Sequence, residues 1–489
     1  MDKPGSEENI HIARKAGRGI IWNFMAYGLG KIVVLLTTSI LARLLAKDDF
    51  GLVAVAVVVI NYLSVVKDLG LGVALIQRRD NVDDAANTVF TINLIIGVAL
   101  SLMIIPIAPF VALYFKDPMV TPVLRWLGCS FAINALGAVH IILLTRELDY
   151  RRKFIPDIGN ALVKGIASIG LALAGFGVWA LVFGQILGAV ASVVLVWVVL
   201  PWRPQLMLNK TVASALMKFG ASVFSEDILS IFIENFGYVV TGRLFGLTQL
   251  SIYTLAFRLP EMLLIGNLWV MAGVTFPAFS AIQHRPDEMR RGMLASIRFI
   301  QILAVPISLG LFLASDLIIN VVFGDQWVDA IPIMRILAVY AWVHSVGFHV
   351  GDIYKAVGRP DILLKLTLLY LMLIVPLILI GSRFGLAGVA WGQLLATLIY
   401  QSISLFVATK FVNISFIDIL KELSPSFQGG LAMTPVVLIV LILFQGYSSY
   451  IQLALVILAG AICYIGVLWF IEKDNLIRML RVIGVPSKT

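Results

Sequence analysis

The chain has 489 residues, 60% of them hydrophobic and only 13% charged, with a net charge of +9. A water-soluble domain carries about 25% charged residues, so this composition and a mean hydropathy of +0.97 exclude an ordinary soluble fold. Apolar stretches of about twenty residues recur along the whole length, as membrane-spanning helices require. They do not alternate polar and apolar residues, which excludes a barrel and leaves an all-α polytopic membrane protein.

The chain opens MDKPGSEEN, acidic and polar, so no cleavable signal peptide is expected and the first helix serves as a retained insertion signal. Fourteen spans are predicted. The first, 18–42, carries Lys31 near its middle. The second, 51–76, carries Lys67 and Asp68, followed by Gly70 and Gly72. Small residues there favour close packing or a bend over a phosphate cradle, which needs a strand–loop–helix setting. Spans at 87–113, 120–144, 155–174 and 177–199 follow, with Lys164 inside the fifth at a depth the sequence leaves open. The seventh, 217–242, carries Glu226, Asp227 and Glu234, with Asp227, Ser230 and Glu234 on one face. The eighth, 249–276, carries Arg258 and Glu261. Equal distance from the turn near Gly246 suggests a Glu234–Arg258 ion pair. The remaining spans are 294–315, 330–353, 362–382, 385–409, 428–446 and 450–471.

Roughly 26 of the 37 Lys/Arg fall on the side of the termini and about 5 on the other. Cytoplasmic loops are the basic ones, so both termini are placed in the cytoplasm. The positive charge then reads as a topology signal and an attraction to anionic membrane lipids, with no nucleic acid partner. Every external loop is short, leaving no room for a soluble catalytic domain. Cys129 and Cys463 lie in apolar segments and read as buried small hydrophobes. His344 and His349 are five apart, a poor spacing for one helix face, so no metal site is expected.

The chain repeats itself at an offset of about 200 to 210 residues. Arg43-Leu44 meets Arg243-Leu244, and Ile76-Gln77 before Asp80 meets Ile282-Gln283 before Asp287. Phe115 and Asp117 meet Phe323 and Asp325, Pro122 and Arg125 meet Pro332 and Arg335, and Pro156-Asp157 meets Pro360-Asp361. Phe176-Gly177 with Gly184-Gln185 and Leu187 meets Phe384-Gly385 with Gly392-Gln393 and Leu395. An even-numbered repeat inserts both copies in one orientation. The predicted organisation is a six-helix bundle at 1–205, a second at 206–410, and an appended helix pair with a cytoplasmic tail at 411–489.

An ionisable residue at a helix centre costs about 2.5–3.5 kcal/mol on insertion scales, so it normally faces a cavity or a partner. Eight such residues stand on repeat-related helices, the first and second matching the seventh and eighth. They predict a central hydrated cavity with Lys31, Lys67 and Arg258 toward substrate. Asp68, Glu226, Asp227, Glu234 and Glu261 would carry a coupling proton or sodium ion, or pair with the bases; the structural alternative is ion pairs that hold helices together. Arg125, Arg335, Asp316 and Lys355 lie near helix ends, where snorkelling suffices, and receive no function.

The stretch Leu41–Leu52 (LARLLAKDDFGL) resembles the first external loop of Wzx-type polysaccharide flippases. Asp68–Gly72 (DLGLG) with Leu75–Arg78 (LIQR) resembles their second helix and first cytoplasmic loop. Phe276–Phe279 (FPAF), Ile282-Gln283, Phe323–Trp327 (FGDQW) and Ile331-Pro332 extend the likeness through the second half. The pattern is similar to that of the colanic acid and teichuronic acid exporters of that family. The resemblance implies the fourteen-helix fold of the multidrug/oligosaccharidyl-lipid/polysaccharide superfamily, with its cavity on helices 1, 2, 7 and 8. It implies export of an undecaprenyl-diphosphate-linked oligosaccharide, an exopolysaccharide or lipopolysaccharide unit, across a bacterial inner membrane beside polymerase and export proteins. Related lipid II flippases carry Ala-Asp-Arg-Leu in helix 8; here Ala256–Leu259 (AFRL) keeps the arginine and lacks the acid, which makes Arg258 the first candidate for a diphosphate contact.

Four other readings compete. A MATE-like drug/cation antiporter usually has twelve helices. A major-facilitator transporter should show Gly-x-x-x-Asp-Arg near residue 80, where the chain reads Ile76–Asp80 (IQRRD). A membrane enzyme that polymerises or ligates sugars needs a large external loop. A non-transporting scaffold of an export complex has no need of intramembrane charge.

Overall fold

The computed structural model describes residues 28–68, 70–78, 80–412 and 414–482, and all regular structure among them is helical. Among the described residues, twelve helices are long and apolar enough to cross a membrane, and each overlaps a predicted span. The two other spans fall on a helix at 28–44 and on the continuous helical stretch from Leu247 to Ala281; residues 18–27 lie outside the described ones. The protein is an all-helical, multi-pass membrane protein. Exposed side chains such as Leu113, Val198, Phe384 and Phe470 suit a solvent of lipid tails. Cys129, expected to be buried, is exposed, and Cys463 is half-buried; hydrocarbon accepts a small apolar side chain as readily as a core does.

By internal packing the chain divides into Met1–Ser251 and Ile252–Thr489. The first unit holds α1 (28–44), α2 (Lys47–Asp68), α3 (Leu71–Gln77), α4 (Val82–Phe115), α5 (Val120–Gly128), α6 (Ser130–Arg146), α7 (Tyr150–Leu173), α8 (Val178–Val199) and α9 (Lys210–Phe245). Val55, Ile104, Leu124 and Leu127 are fully buried in its largest core cluster. The second predicted span is broken between α2 and α3, where Gly70 has φ 66, a left-handed conformation that only glycine adopts cheaply.

The seventh span, α9, packs within this first unit. Asn61 Nδ2 donates to Asn235 Oδ1 at 3.3 Å, and the Tyr62 hydroxyl donates to the Phe232 carbonyl at 3.4 Å. A boundary at 205/206 follows the sequence symmetry, whereas packing closes at Ser251. The link from α8 to α9, residues 201–209, is non-helical and lies along α4. The N–H groups of Gln205, Met207 and Asn209 donate to Asn87 Oδ1, Thr91 Oγ1 and Thr88 Oγ1 at 2.8, 3.1 and 3.4 Å. Both threonine hydroxyls donate in turn to carbonyls one turn back, those of Asn87 and Asp84.

The second unit holds most of α10 (Leu247–Pro260), the π-helical turn Glu261–Ile265, α11 (Gly266–Ala281), α12 (Pro286–Leu313) and α13 (Ser315–Val322). A 3-10 turn at Asp325–Ala330 leads to α14 (Ile331–Val346), α15 (Val350–Ala356), α16 (Pro360–Ser382), α17 (Gly385–Val412), α18 (Phe416–Leu443) and α19 (Ser449–Val482). The duplication is visible in the hairpins α7–α8 and α16–α17. Gly177 and Gly385 both turn the chain at positive φ, 55° and 80°. Seven residues later in each copy, about two turns on, helix meets helix at a glycine: a Cβ on Gly184 would stand 1.9 Å from Ser168 Oγ, and one on Gly392 2.5 Å from the Leu377 carbonyl oxygen.

The appended pair α18–α19 docks on α12 by charge. A capping box of Ser415 and Asp418 opens α18, and Asp418 also accepts from Arg290 at 2.8 Å. Arg298 pairs with both Glu422 and Glu472, three side chains that are mostly buried.

Candidate functional site

Two groups of the intramembrane charges, Lys67–Asp68 and Arg258–Glu261, sit where helices lose regularity. On α1, Lys31 is half-buried, one face of the helix lying on α7, where Thr37 stands against Gly165. Half-buried Lys67 occupies the last turn of α2, immediately before the Gly70 break. Asp68 ends the same helix; its carboxylate, with the side chains of Glu226 and Asp227 on α9, lies outside the described groups. Glu234 is exposed on the α9 turn that Asn61 and Tyr62 hold through its neighbours Asn235 and Phe232.

Arg258 and Glu261 flank Pro260 at the start of the π-helical turn. Proline has no N–H to donate and its ring crowds the carbonyl four residues back, so the helix widens locally. Arg258 Nη1 lies 4.0 Å from Glu261 Oε2, with both side chains more than a third exposed. That separation exceeds a hydrogen bond, and an exposed pair of this kind is worth about 0–1 kcal/mol. The guanidinium therefore has donors that this carboxylate does not engage. Ala256 and Leu259 are buried and hold the helix in place. Phe257 is also buried, its ring centroid 5.7 Å from that of Tyr340 on α14. The residue that replaces the expected acid thus serves packing, and Arg258 projects without a carboxylate beside it in sequence.

Charges given no function have local partners. The Arg125 Nε donates at 3.1 Å to the carbonyl of Ile105, which lacks its helical donor because residue 109 is a proline. Its repeat counterpart Arg335, on α14, donates to Ser315 Oγ at 2.7 Å and pairs with Asp316, both in the first turn of α13. Lys164, left open above, donates to Gln185 on α8 at 3.3 Å. The matching Gln393 of the second copy accepts instead from the buried Tyr253 hydroxyl. Among the described residues, no three His, Cys, Asp or Glu side chains gather to hold a metal.

The sequence reading passed over a buried polar network around α14 and α15. Gln301 donates to Ser345 at 2.9 Å and accepts from Trp342 at 2.8 Å. Gln401 donates to the His344 carbonyl at 3.0 Å, and His349 and Asp352 meet Thr275. Neutral Gln, Ser and Tyr residues carry no charge signal; Asp352 did, four residues from the end of its helix.

Helices that cross a membrane, break beside charged residues and come in two sequence-related sets are the build of a membrane transporter. Comparison with solved structures agrees on the fold. The lipid II flippase MurJ in an inward-closed conformation superposes with a TM-score of 0.74 at 14% identity, covering 94% of this chain and 100% of that one. An inward-facing multidrug resistance MATE family transporter of the MOP superfamily gives 0.66 at 16% identity, covering 79% and 94%. The chain belongs to the polysaccharide biosynthesis protein family, which matches residues 40–332. Its relatives include the lipopolysaccharide biosynthesis protein WzxC of Escherichia coli (25% identical, 82% of each chain). The teichuronic acid biosynthesis protein TuaB of Bacillus subtilis is 24% identical over 86% of this chain and 88% of its own. The succinoglycan biosynthesis transport protein ExoT of Rhizobium meliloti is 24% identical over 96% and 95%.

Proposed function

We propose that the protein is a flippase that moves an undecaprenyl-diphosphate-linked oligosaccharide from the cytoplasmic to the periplasmic leaflet of a bacterial inner membrane. Both termini lie in the cytoplasm, and the glycan belongs to an exopolysaccharide or lipopolysaccharide. The observation that carries this reading is Arg258, presented at the π-helical turn with only a loose 4.0 Å partner, in a chain of the polysaccharide biosynthesis family. A diphosphate drawn into a membrane needs cationic donors to offset its desolvation. Lys31 and Lys67 supply the other cations. Asp68, Glu226, Asp227, Glu234 and Glu261 balance them or carry the coupling ion. The isoprenoid tail stays in lipid while alternating access re-exposes the head group. No step needs catalysis by the protein, and polymerase and export proteins would take the product.

A MATE-like drug/cation antiporter is the second reading, favoured by the shared fold. Translocation in proteoliposomes separates them. Purified protein is reconstituted with an undecaprenyl-diphosphate oligosaccharide, and leaflet exposure is read with an impermeant sugar probe, with and without a proton gradient. Exposure above that of empty vesicles, lost in Arg258→Ala, is expected. Efflux of a cationic dye with no sugar exposure would transfer the assignment to the antiporter.

A further inference from the structure

Gly137 and Gly347 correspond across the repeat, each twelve residues after its matched arginine, Arg125 or Arg335. A histidine follows each glycine, His140 three residues on and His349 two. Both are buried, 0% and 4% exposed, and each has one ring nitrogen without a hydrogen-bond partner, Nδ1 of His140 and Nε2 of His349. Their other nitrogens differ. His140 Nε2 faces the Trp202 carbonyl at 3.1 Å, and its ring packs between Trp197 and Trp202 at 5.0 and 5.1 Å. His349 Nδ1 lies 3.1 Å from Asp352 Oδ2 and 3.1 Å from Thr275 Oγ1, and that hydroxyl lies 2.9 Å from the same carboxylate oxygen.

The charge arithmetic follows from these contacts. With its hydrogen on Nδ1, the imidazole donates to Asp352 and leaves Nε2 as a buried base. The cluster then carries one negative charge. A proton taken up on Nε2 gives an imidazolium–carboxylate pair of zero net charge. Imidazole is the side chain whose ordinary range lies nearest neutral pH, and the adjacent Asp352 carboxylate supplies a counter-charge for its protonated form. At the break between α14 and α15, the carbonyl oxygen Oε1 of Gln401 is a second buried acceptor without a partner.

We propose that Thr275, His349 and Asp352 form the site at which the transporter binds and releases its coupling proton, with His140, a buried histidine of the first copy that faces a backbone carbonyl in place of a carboxylate, as the internal comparison. This rests on the transport reading only in calling the proton a coupling one. The surrounding elements offer few competing charges. None is carried by α11. From α14 come half-buried His344 and the distant Arg335, paired with Asp316. Lys355 lies on α15 itself. Asp361 and Lys365 on α16 pair with each other, Asp361 also with Arg359, and α17 carries Lys410 in its last turn. On α12, Arg298 is held by Glu422 and Glu472.

The test uses full-length protein in phosphatidylethanolamine/phosphatidylglycerol vesicles on a solid-supported membrane, with no sugar substrate present. A step of about two pH units across the ordinary histidine range should displace charge in the parent and in His140→Gln. Asp352→Asn should reduce the displaced charge at least about tenfold, because a buried imidazolium without its counter-ion is strongly disfavoured. His349→Gln, monodisperse by gel filtration, should likewise reduce the displaced charge at least about tenfold, because the group that takes up the proton is gone. Parent-like currents in Asp352→Asn, equal loss in His140→Gln, an equal current on a sodium step at constant pH, or no current in the parent would each overturn the proposal. Since no lipid-linked sugar is needed, failure of sugar translocation leaves this result readable, and the reverse.

Discussion

The two copies of the repeat place similar residues at or near matching positions and surround them differently. In the first, Arg125 is satisfied by a backbone carbonyl, His140 faces a backbone carbonyl, and Gln185 accepts from a lysine. In the second, Arg335 has Asp316, His349 has Asp352, and Gln393 accepts from a tyrosine. Carboxylates have entered the second copy at two places where the first relies on its own main chain. Such a difference is what specialisation after duplication looks like chemically: one scaffold, with ionisable partners concentrated in one half.

Four sets of substitutions would break or sharpen that contrast. The largest effect is expected at Arg258. Losing a charge-assisted contact worth about 1.5–3 kcal/mol should lower sugar exposure by more than about tenfold in Arg258→Ala, with membrane insertion normal by topology reporter. Lys31→Ala and Lys67→Ala in the first copy should impair export as well. Parent rates in all three would remove the charges from the transport path.

Next comes Arg298→Met, which leaves Glu422 and Glu472 facing each other without their cation. Breaking a buried pair costs about 3–5 kcal/mol; with Arg298 a quarter exposed, a loss nearer about 2 kcal/mol is expected, seen as a lower unfolding midpoint in detergent. The double change Glu422→Gln, Glu472→Gln in that background should restore part of it. Third, Gly392→Ala should cost about 1–3 kcal/mol by overpacking, because the new methyl meets main chain at the Leu377 carbonyl. Gly184→Ala should cost less, because the nearest atom is the rotatable Ser168 hydroxyl. Equal effects would mean that neither hairpin can yield.

The smallest effects belong to Arg125→Met and Arg335→Met. The Arg335–Asp316 pair is about half exposed, and such pairs contribute about 0–1 kcal/mol. Thermal shifts within that range are expected for both. A larger loss in Arg125→Met alone would show how much the proline-orphaned Ile105 carbonyl depends on its guanidinium.

Hydropathy sufficed for the spans because the bilayer imposes one length and one solvent on each of them. The repeat was readable because paired residues such as Phe176-Gly177 and Phe384-Gly385 perform the same turn. What escaped was geometry that depends on neighbouring helices. Gly70 announced a bend without saying that the helix would stop, and Pro260 did not disclose a π-helical turn. The seventh span was assigned to the second copy by periodicity, while its partners Asn61, Tyr62 and Phe115 lie in the first unit. His349 was weighed against His344 on spacing alone; its partners are a carboxylate three residues on and a threonine on another helix, a combination that no single-helix pattern contains.

The link at 201–209 has a mechanical consequence. Its alternate N–H groups are fastened to α4, while Leu206 and Leu208 between them are exposed. Pro201 and Pro204 stiffen its first half, since each fixes a backbone torsion. A nine-residue extended segment reaches at most about 30 Å. It behaves as a short riveted strap, apolar on its outer edge, that leaves little slack between α8 and α9. Any tilt of α9 must therefore pull on α4 or strip the rivets one by one.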